Sequence, residues 1–407
     1  MNLQLRPALT ALWRNHTGAL LVAAQIGVAL AVLVNAACIV HQRIAKMSRP
    51  TGIDYRNEFV VWSQAFTDRF DFPSALREDI SYLRGLPGVV DATQANSVPM
   101  GWSNNSTEFR ASTDPNAPRV QLSMFNMDDH AINTLGTHLI AGRNFRPDEI
   151  LPPLTVENPS EFVPVLILSR DAAQKLYGSA NAVGKAIYDD AGHAATVIGV
   201  IENVISTSWG VVTGSDQIVL IPRHTYKLGP SWYLVRTQPG ERDALMRTVE
   251  EHMSRSNPNR VIQRVDALEM YKDTLYRDDR NMAIFLLTVT VLVLIVTCVG
   301  IVGLVTFNVS TRTRQIGTRR ALGARCRDVI RYFLVENALV TTTGILAGVV
   351  LALGVGYLLS LHFQLPRLDL LYLLAGVLAL WLIALLSAWQ PARRAATVAP
   401  AVATRTL

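Results

Sequence analysis

Four apolar stretches, none of which contains a charged residue, constrain this chain more than any other feature of its sequence. They are Thr17–Val40, Met282–Phe307, Ala338–Leu361 and Leu370–Trp389. Each is long enough to cross a bilayer as an α-helix, which takes about 20 apolar residues. Only 17% of the residues are charged, against about 25% in an average soluble protein. The sequence therefore predicts a membrane protein with four spanning helices.

The polar stretch between the first two apolar stretches differs in charge from the rest of the chain. Residues 41–281 contain 25 Lys and Arg against 29 Asp and Glu, whereas the remainder contains 13 basic and 3 acidic residues. The excess of arginine therefore belongs to the membrane part, where anionic lipid headgroups attract it, and it does not indicate nucleic acid. The polar stretch is long enough to build its own hydrophobic core. We expect it to form a separate domain.

The segment Asn308–Arg331, here named the basic loop, joins the second and third apolar stretches. It holds seven arginines and one acid, Asp328. Short basic loops between spanning helices lie on the cytoplasmic side of the membrane. Arginines near both ends of the chain agree with that orientation: Arg6, Arg14, Arg393, Arg394 and Arg405. In the loop between the third and fourth apolar stretches, the one arginine, Arg367, is balanced by one acid, Asp369. We expect both termini in the cytoplasm and the polar domain outside.

Two strand–helix–strand patterns in the polar stretch predict a split α/β domain. The first comprises Phe59–Trp62, Pro73–Leu86 and Val89–Thr93, and the second comprises Trp232–Arg236, Glu241–Ser254 and Val261–Val265. Both helices have apolar residues at helical spacing. Residues 110–225 are rich in Pro, Gly and Asn and carry short apolar strands, so they are predicted to be a mostly β insertion. The expected domain is 49–265, with 1–48 and 266–407 forming the spanning helices and a short stalk.

The sequence offers no constellation for catalysis, metal binding or nucleotide binding. Its only GK pair, Gly184-Lys185, has Ser179 where a phosphate-binding loop needs glycine and Ala186 where that loop needs a hydroxyl residue. The three cysteines lie outside the polar stretch, so we expect that domain to fold without disulfides. The eight histidines show no spacing typical of metal ligands. We expect no catalytic residue, metal or cofactor in this chain.

The basic loop has an apolar and glycine pattern as well as charge. Gln315-Ile316-Gly317 and Ala321–Ala324 flank a central arginine pair. Because glycine disfavours helix interiors, the glycines are expected to limit the helix between them to about two turns. Such a helix would lie along the membrane face, although the same arginines would also suit a simple topological anchor. At the entry to the third stretch, Glu336 is interpreted as structural rather than functional, since charges are cheap at span ends.

The run from Thr311 to Val340 resembles the signature of FtsX-like permeases, and more closely that of the MacB-type branch of ATP-driven (ABC) transporters. Three further segments resemble the same family: Gly142–Phe145 with Asp148, Ser169–Val200, and Pro391–Ala396 followed by Pro400. The resemblance extends over nearly the whole chain. It implies an α-helical membrane protein of the bacterial inner membrane, with four transmembrane helices and a large periplasmic domain after the first.

In that family the loop between the second and third spans contacts a separate or fused ATPase. The resemblance therefore implies a non-catalytic permease subunit whose partner ATPase binds ATP and Mg²⁺. It also implies a second permease copy, membrane lipids, a periplasmic adaptor and an outer-membrane channel as partners, and export of an antibiotic, peptide or lipopeptide. The implied ATPase contacts are Arg312, Arg314, Ile316, Gly317, Arg319, Arg320, Leu322 and Gly323.

Three positions depart from the family's pattern. The family usually has glutamate where this chain has Gln315, an apolar residue where it has Thr318, and alanine where it has Asn337. The absence of a carboxylate at position 315 is consistent with a transporter built from two different permease chains, of which this chain is one. A second interpretation also stays open, in which an FtsX-like signalling complex regulates a periplasmic enzyme without transport.

Overall fold

The computed structural model describes residues 16–67, 69–101, 106–114, 116–153, 163–206, 216–225, 230–321, 325–363 and 368–397. Several residues used in the sequence arguments lie outside these ranges: Arg6, Arg14, Leu322, Gly323, Arg367, Pro400 and Arg405. The chain divides into a helical unit, Met1–Ser48 with Asp278–Leu407, and a mixed unit, Arg49–Arg277. The second boundary falls beyond the expected 265/266, because a strand and a short helix complete the mixed unit.

The described helices are, in chain order, α1 (His16–Met47), α2 (Phe72–Gly85), α3 (Ala131–Thr134), α4 (Arg170–Tyr177), α5 (Arg242–Ser256), α6 (Leu268–Leu275), α7 (Arg277–Thr311), α8 (Thr313–Ala321), α9 (Cys326–Phe363) and α10 (Leu370–Ala396). The described strands are β1 (Glu58–Ala65), β2 (Val89–Ala95), β3 (Ser106–Arg110), β4 (Arg119–Met127), β5 (Leu139–Gly142), β6 (Val165–Ser169), β7 (Ala186–Tyr188), β8 (Ala194–Ile201), β9 (Ile218–Pro222), β10 (Pro230–Thr237) and β11 (Arg260–Ala267). Among these helices, α1, α7, α9 and α10 are long and apolar enough to span a bilayer, which confirms the predicted four spans.

The first and third spanning helices, α1 and α9, touch backbone to backbone. A Cβ atom added to Gly348 would lie 2.9 Å from the Cα atom of Gly27, and one added to Gly344 would lie 2.6 Å from the carbonyl oxygen of Ala23. Both distances are shorter than Cβ atoms tolerate, so only glycine fits at these two positions. Small residues promote helix association in lipid because they let the backbones approach closely.

Two buried asparagines connect the spanning helices by hydrogen bonds. The Asn35 amide of α1 donates to the carbonyl oxygen of Ala352 in α9 (3.2 Å). The Asn337 amide of α9 donates to the carbonyl oxygen of Ala384 in α10 (3.1 Å). Such bonds contribute about 0.6 kcal/mol each on average in membrane proteins. The family resemblance led us to expect alanine at position 337, and the asparagine found there adds a hydrogen bond between α9 and α10.

The mixed unit contains a four-stranded antiparallel sheet in the order β11-β1-β10-β2. Each strand–helix–strand pattern supplies two parallel strands with one strand of the other pattern between them, which confirms the split α/β prediction. Helix α2 begins where the Asp71 carboxylate accepts a hydrogen bond from the N–H of Ser74, with Pro73 in the first turn. Helices α2 and α5 cover one face of the sheet, where Leu83 and Val249 are completely buried.

The segment between β2 and β10 forms a seven-stranded sheet in the order β5-β8-β6-β9-β4-β3-β7. Strand β7 also pairs with β8, so the row of strands closes on itself. The two sheets share one apolar core, to which Phe125 and Ile198 contribute from the second sheet and Leu234 from the first. Helix α4 covers the opposite face of the second sheet. The prediction of a mostly β insertion is confirmed.

Glu58, at the start of β1, carries a carboxyl group that is completely buried. Its oxygens lie near the Asp54 backbone but make no hydrogen bond of normal geometry with the described residues. Burial raises the pKa of Glu58 well above its ordinary value; the Asp54 carboxylate raises it further, and the Arg236 guanidinium opposes both. A carboxyl whose pKa is raised on folding stabilises the fold below its unfolded pKa and loses that contribution as pH rises through the folded pKa.

Glu58→Gln is therefore expected to change thermal stability in a pH-dependent way. Near pH 4.5 both side chains are neutral, so the apparent Tm of the full chain in detergent should hardly change. Above pH 4.5 the variant should become progressively more stable than the parent, because the glutamate of the unfolded chain (pKa about 4.3) ionises while buried Glu58 stays neutral, until the pH passes the folded-state pKa. Circular dichroism melts from pH 4.5 to 9 test this. A difference that is constant across the series would contradict the assignment.

Candidate functional site at the basic loop

The basic loop is largely helical. Helix α7 runs to Thr311, α8 begins at Thr313, and α9 begins at Cys326. The Asp328 carboxylate in the first turn of α9 accepts a hydrogen bond from the N–H of Arg325 (3.1 Å), as helix N-termini favour. The expected short helix is present, but it starts before the first glycine, so that Gly317 lies inside α8 instead of bounding it.

Helix α8 is anchored to the helical unit by Ile316. This side chain is buried in a small apolar cluster with Val329 and Phe333 of α9 and with Ala392 and Ala396 of α10. Glycine inside a helix costs roughly 1 kcal/mol relative to alanine, and the neighbouring burial of Ile316 offsets that cost. Ile316 is among the residues implied to contact the ATPase, and in this structure its side chain packs against its own chain.

Arg312, between α7 and α8, joins the basic loop to α9 through charge. Its guanidinium donates to both carboxylate oxygens of Glu336 (3.2 and 3.0 Å) and to the hydroxyl of Tyr332 (3.2 Å). The Glu336 side chain is 4% exposed and that of Arg312 is 17% exposed. Paired, hydrogen-bonded charges of this kind are tolerated when buried, whereas single ones are costly. The structural interpretation of Glu336 agrees with this geometry.

Of the remaining predicted contact residues, Gly317 is buried inside α8, Arg314 is exposed, and the others have side chains that the structure does not describe. Arg314 is exposed, as are Gln315 and Thr318, so this side of α8 is open to a partner. Arg319 and Arg320 take helical positions in α8, but their side chains lie outside the described part. Leu322 and Gly323 are outside it entirely. The structure thus brings Arg312 and Ile316 against α9 and leaves Arg314 available.

The residues of the other family-like segments shape the fold of the mixed unit. Gly142 has a φ of +81°, and a Cβ atom there would lie 2.1 Å from a neighbouring carbonyl oxygen. Arg143 donates two hydrogen bonds to Glu149 (2.7 and 2.6 Å), which lower the pKa of that carboxyl. Ser169 caps the start of α4, and Gly178 ends it with a left-handed φ of +68°. These residues position strands and turns.

One charged cluster of the helical unit was missed by the sequence arguments. Asp279 in the first turn of α7 is 3% exposed and pairs with Arg43 and with Lys46 (3.0 Å) near the end of α1. The three charges lie where α1 and α7 continue beyond their apolar stretches. The sequence did contain a signal for this cluster. Asp278 and Asp279 precede the second apolar stretch, and Arg43 and Lys46 follow the first, so opposite charges lie at the same side of the membrane. The cluster fixes the two helices to each other at the end remote from the basic loop.

The fold and this site define a four-helix membrane protein in which a short basic helix is anchored at one end of the bundle. Two family models match the chain: the MacB-like periplasmic core domain over residues 21–252 and the FtsX-like permease C-terminal domain over residues 287–400. Together they cover most of the sequence. The chain belongs to the family of MacB-type, FtsX-like ABC transporter permeases.

The chain is similar to two curated exporters. The macrolide export ATP-binding/permease protein MacB of Escherichia coli K12 is 27% identical over 340 residues, which are 79% of this chain and 48% of that protein. The probable syringafactin export ATP-binding/permease protein SyfD of Pseudomonas syringae is 33% identical over 137 residues, which are 33% of this chain and 20% of that protein. The chain thus spans about half the length of the MacB relative.

The crystal structure of the periplasmic region of MacB from Actinobacillus actinomycetemcomitans is also similar. It matches 57% of this chain and 97% of its own length, at 12% sequence identity and a TM-score of 0.34.

Proposed function

We propose that this chain is the permease subunit of a MacB-type exporter and that the basic loop, on the cytoplasmic side, receives the force of a partner ATPase. The observation that carries the proposal is the anchoring of α8. Ile316 and Arg312 fix one side of this helix to α9 and α10, and Arg314 and Thr318 lie on the open side. A helix held firmly to the bundle moves the bundle when a partner pushes on it.

The path away from α8 leads through α7. This helix is continuous for 35 residues, or about 52 Å at 1.5 Å per residue, whereas the hydrocarbon core of a bilayer is about 30 Å thick. Its far end joins the mixed unit directly in sequence, after α6. A displacement at Arg312 is therefore carried along one rigid helix to the far side of the membrane, where the mixed unit changes shape and moves the cargo.

The partners follow from this scheme. The ATPase, which binds ATP and Mg²⁺, would present carboxylates to Arg314, Arg319 and Arg320, since guanidinium groups form strong two-pronged bonds with carboxylates. A second permease copy, like or unlike this one, would complete the transporter. The names of the relatives, macrolide and syringafactin export, support an exported antibiotic or lipopeptide-like cargo, with an adaptor and an outer-membrane channel as further partners.

Charge reversal in α8 tests the coupling. Arg314→Glu, and the pair Arg319→Glu with Arg320→Glu, are expected to reduce binding of the native ATPase at least tenfold, because each lost charge-assisted bond is worth roughly 1.5–3 kcal/mol. Cargo-stimulated ATP hydrolysis by the reconstituted complex should fall in parallel. The assay compares hydrolysis with and without cargo in proteoliposomes made from the complex purified from its native host.

Arg325→Glu is the matched control, because it makes the same charge change in the basic loop, outside α8, at an arginine that is not among the expected contacts. Its hydrolysis should stay near that of the parent. Thr318→Cys, in a background without the three native cysteines, should react with a membrane-impermeant maleimide only from the cytoplasmic side. Labelling from the periplasmic side, or unchanged stimulation in the reversed variants, would refute the proposal.

A further inference from the structure

A groove of about 460 Å³ opens between the first turns of α9 and the second half of α10. Its charged end is formed by Arg327 and Arg331, and its apolar wall includes Leu334, Trp381, Leu385 and Trp389. The groove lies within the helical unit, and among its lining residues only Ile330 also packs against the cluster that holds α8 in place.

The charged end of the groove has room for an anion. Arg327 and Arg331 are both exposed, and four-residue spacing places their Cβ atoms about 5–6 Å apart on one face of the helix. The two described acids closest in sequence are engaged elsewhere, since Asp328 accepts from the N–H of Arg325 and Glu336 binds Arg312. Two adjacent positive charges repel each other, and a bound phosphate group would remove that repulsion.

The apolar part of the groove suits a hydrocarbon chain. Leu334 continues the face of the two arginines deeper into α9, and the opposite wall rises from Trp389 to Trp381 along α10. Both indoles are partly exposed, at 52% and 39%. Tryptophan favours the level of the lipid headgroups, which suits Trp389 at the end of the apolar stretch, whereas Trp381 lies about 12 Å deeper along α10. From the membrane surface inward, the groove thus presents two arginines and then an apolar surface. A phospholipid has the matching order, with a charged headgroup followed by acyl chains.

We propose that this groove is a binding site for one anionic phospholipid of the leaflet that borders the basic loop. The phosphate lies between Arg327 and Arg331, and one acyl chain lies along Leu334, Leu385 and Trp381. Basic pockets between spanning helices bind anionic lipid headgroups through this combination of charge and apolar surface. The lipid would bridge α9 and α10, the two helices that also carry α8, so its occupancy would stabilise the base on which α8 rests. The site is independent of any exported cargo.

Native mass spectrometry of the full-length chain in a mild detergent tests the site. The chain is equilibrated with equal amounts of palmitoyl-oleoyl phosphatidylglycerol and phosphatidylcholine, and retained lipid is counted. The parent is expected to retain phosphatidylglycerol preferentially. The double variant R327Q/R331Q should lose that preference by roughly fivefold for each arginine and about 25-fold in all. R327K/R331K keeps both charges and should keep most of the preference, which separates charge loss from misfolding.

The matched control is R325Q/R394Q, which removes two exposed arginines at the same end of the same helices but outside the groove. Its preference for phosphatidylglycerol should equal that of the parent. An equal loss in this control would overturn the proposal in favour of general surface charge. So would an unchanged preference in R327Q/R331Q. Efficient disulfide formation between two copies carrying Leu385→Cys and Cys326→Ser in native membranes would also overturn it, because the groove would then be a protein interface.

Discussion

Arg312→Ala is expected to destabilise the helical unit by about 3–5 kcal/mol, because it leaves the Glu336 carboxylate buried without a counter-charge. Glu336 is 4% exposed and has both oxygens bonded to Arg312. The loss should appear as a large fall in the apparent Tm of the detergent-solubilised chain. Because Arg312 also holds the start of α8, the same variant should bind the ATPase poorly.

The reciprocal change should be milder. Glu336→Gln leaves Arg312, which at 17% exposure can turn toward water. Replacing both with leucine should recover most of the stability, since apolar pairs of similar volume often replace buried ion pairs at little cost. Arg314→Ala is the control, an exposed arginine of the same loop, and should change stability by less than about 0.5 kcal/mol. Equal effects of Arg312→Ala and Arg314→Ala would show that the pair contributes nothing.

Asp79→Ala is expected to destabilise the mixed unit by a similar amount, about 3–5 kcal/mol. The Asp79 carboxylate accepts hydrogen bonds from Arg260 (2.8 Å) and from the hydroxyl of Tyr233 (2.7 Å). The Arg260 side chain is 1% exposed, so it cannot recover water when its partner is removed. The three residues join α2 to β10 and to the edge strand β11, which places the damage across the face of the first sheet that α2 covers.

Hydrogen exchange followed by mass spectrometry locates that damage in the full-length chain. Exchange in β10 and β11 should accelerate strongly in Asp79→Ala, while α9 and α10 stay protected. Glu108→Ala is the control, because its pair with Arg119 (3.0 Å) is roughly half exposed on both sides, and exposed pairs are worth about 0–1 kcal/mol. If both variants exchanged alike, the buried triad would not be a determinant of stability.

The architecture was accessible from the sequence because its signals are local. Apolar length predicts the spanning helices, and the change from alternating to helical spacing around Pro73–Leu86 predicts a strand–helix–strand pattern. The order β11-β1-β10-β2 was not accessible in the same way, because pairing β1 with β10 joins segments separated by the whole insertion. The start of α8 was misjudged, since the glycine penalty at Gly317 was given more weight than the burial of Ile316 beside it.

The charged sites show where sequence reasoning stops. Asp79 lies between Leu76 and Leu83 on the apolar face of α2. Because a buried carboxylate needs a partner, an acid on that face predicts that a basic or hydrogen-bonding side chain lies against it. The partner, Arg260, is 181 positions away, and no spacing rule identifies it. Glu336 was recognised as a structural acid, yet its pairing with Arg312 depends on the turn between α7 and α8, which the sequence does not fix. The groove at Arg327 forms only because α10 packs beside α9, so it could not be predicted from the sequence either.

The contact of Gly27 with Gly344 and Gly348 has a mechanical consequence. Where most helices meet, interlocked side chains resist rotation, and sliding one helix past another requires repacking. At this crossing the backbones of Gly27 and Gly348 meet directly, and only Ile26 and Leu30 of α1 pack beside the glycines of α9, so fewer side chains have to disengage when the angle between α1 and α9 changes. If α1 and α9 moved apart, by contrast, the van der Waals contact between their backbones would be lost immediately. The crossing therefore works as a pivot that permits tilting while keeping the two axes together.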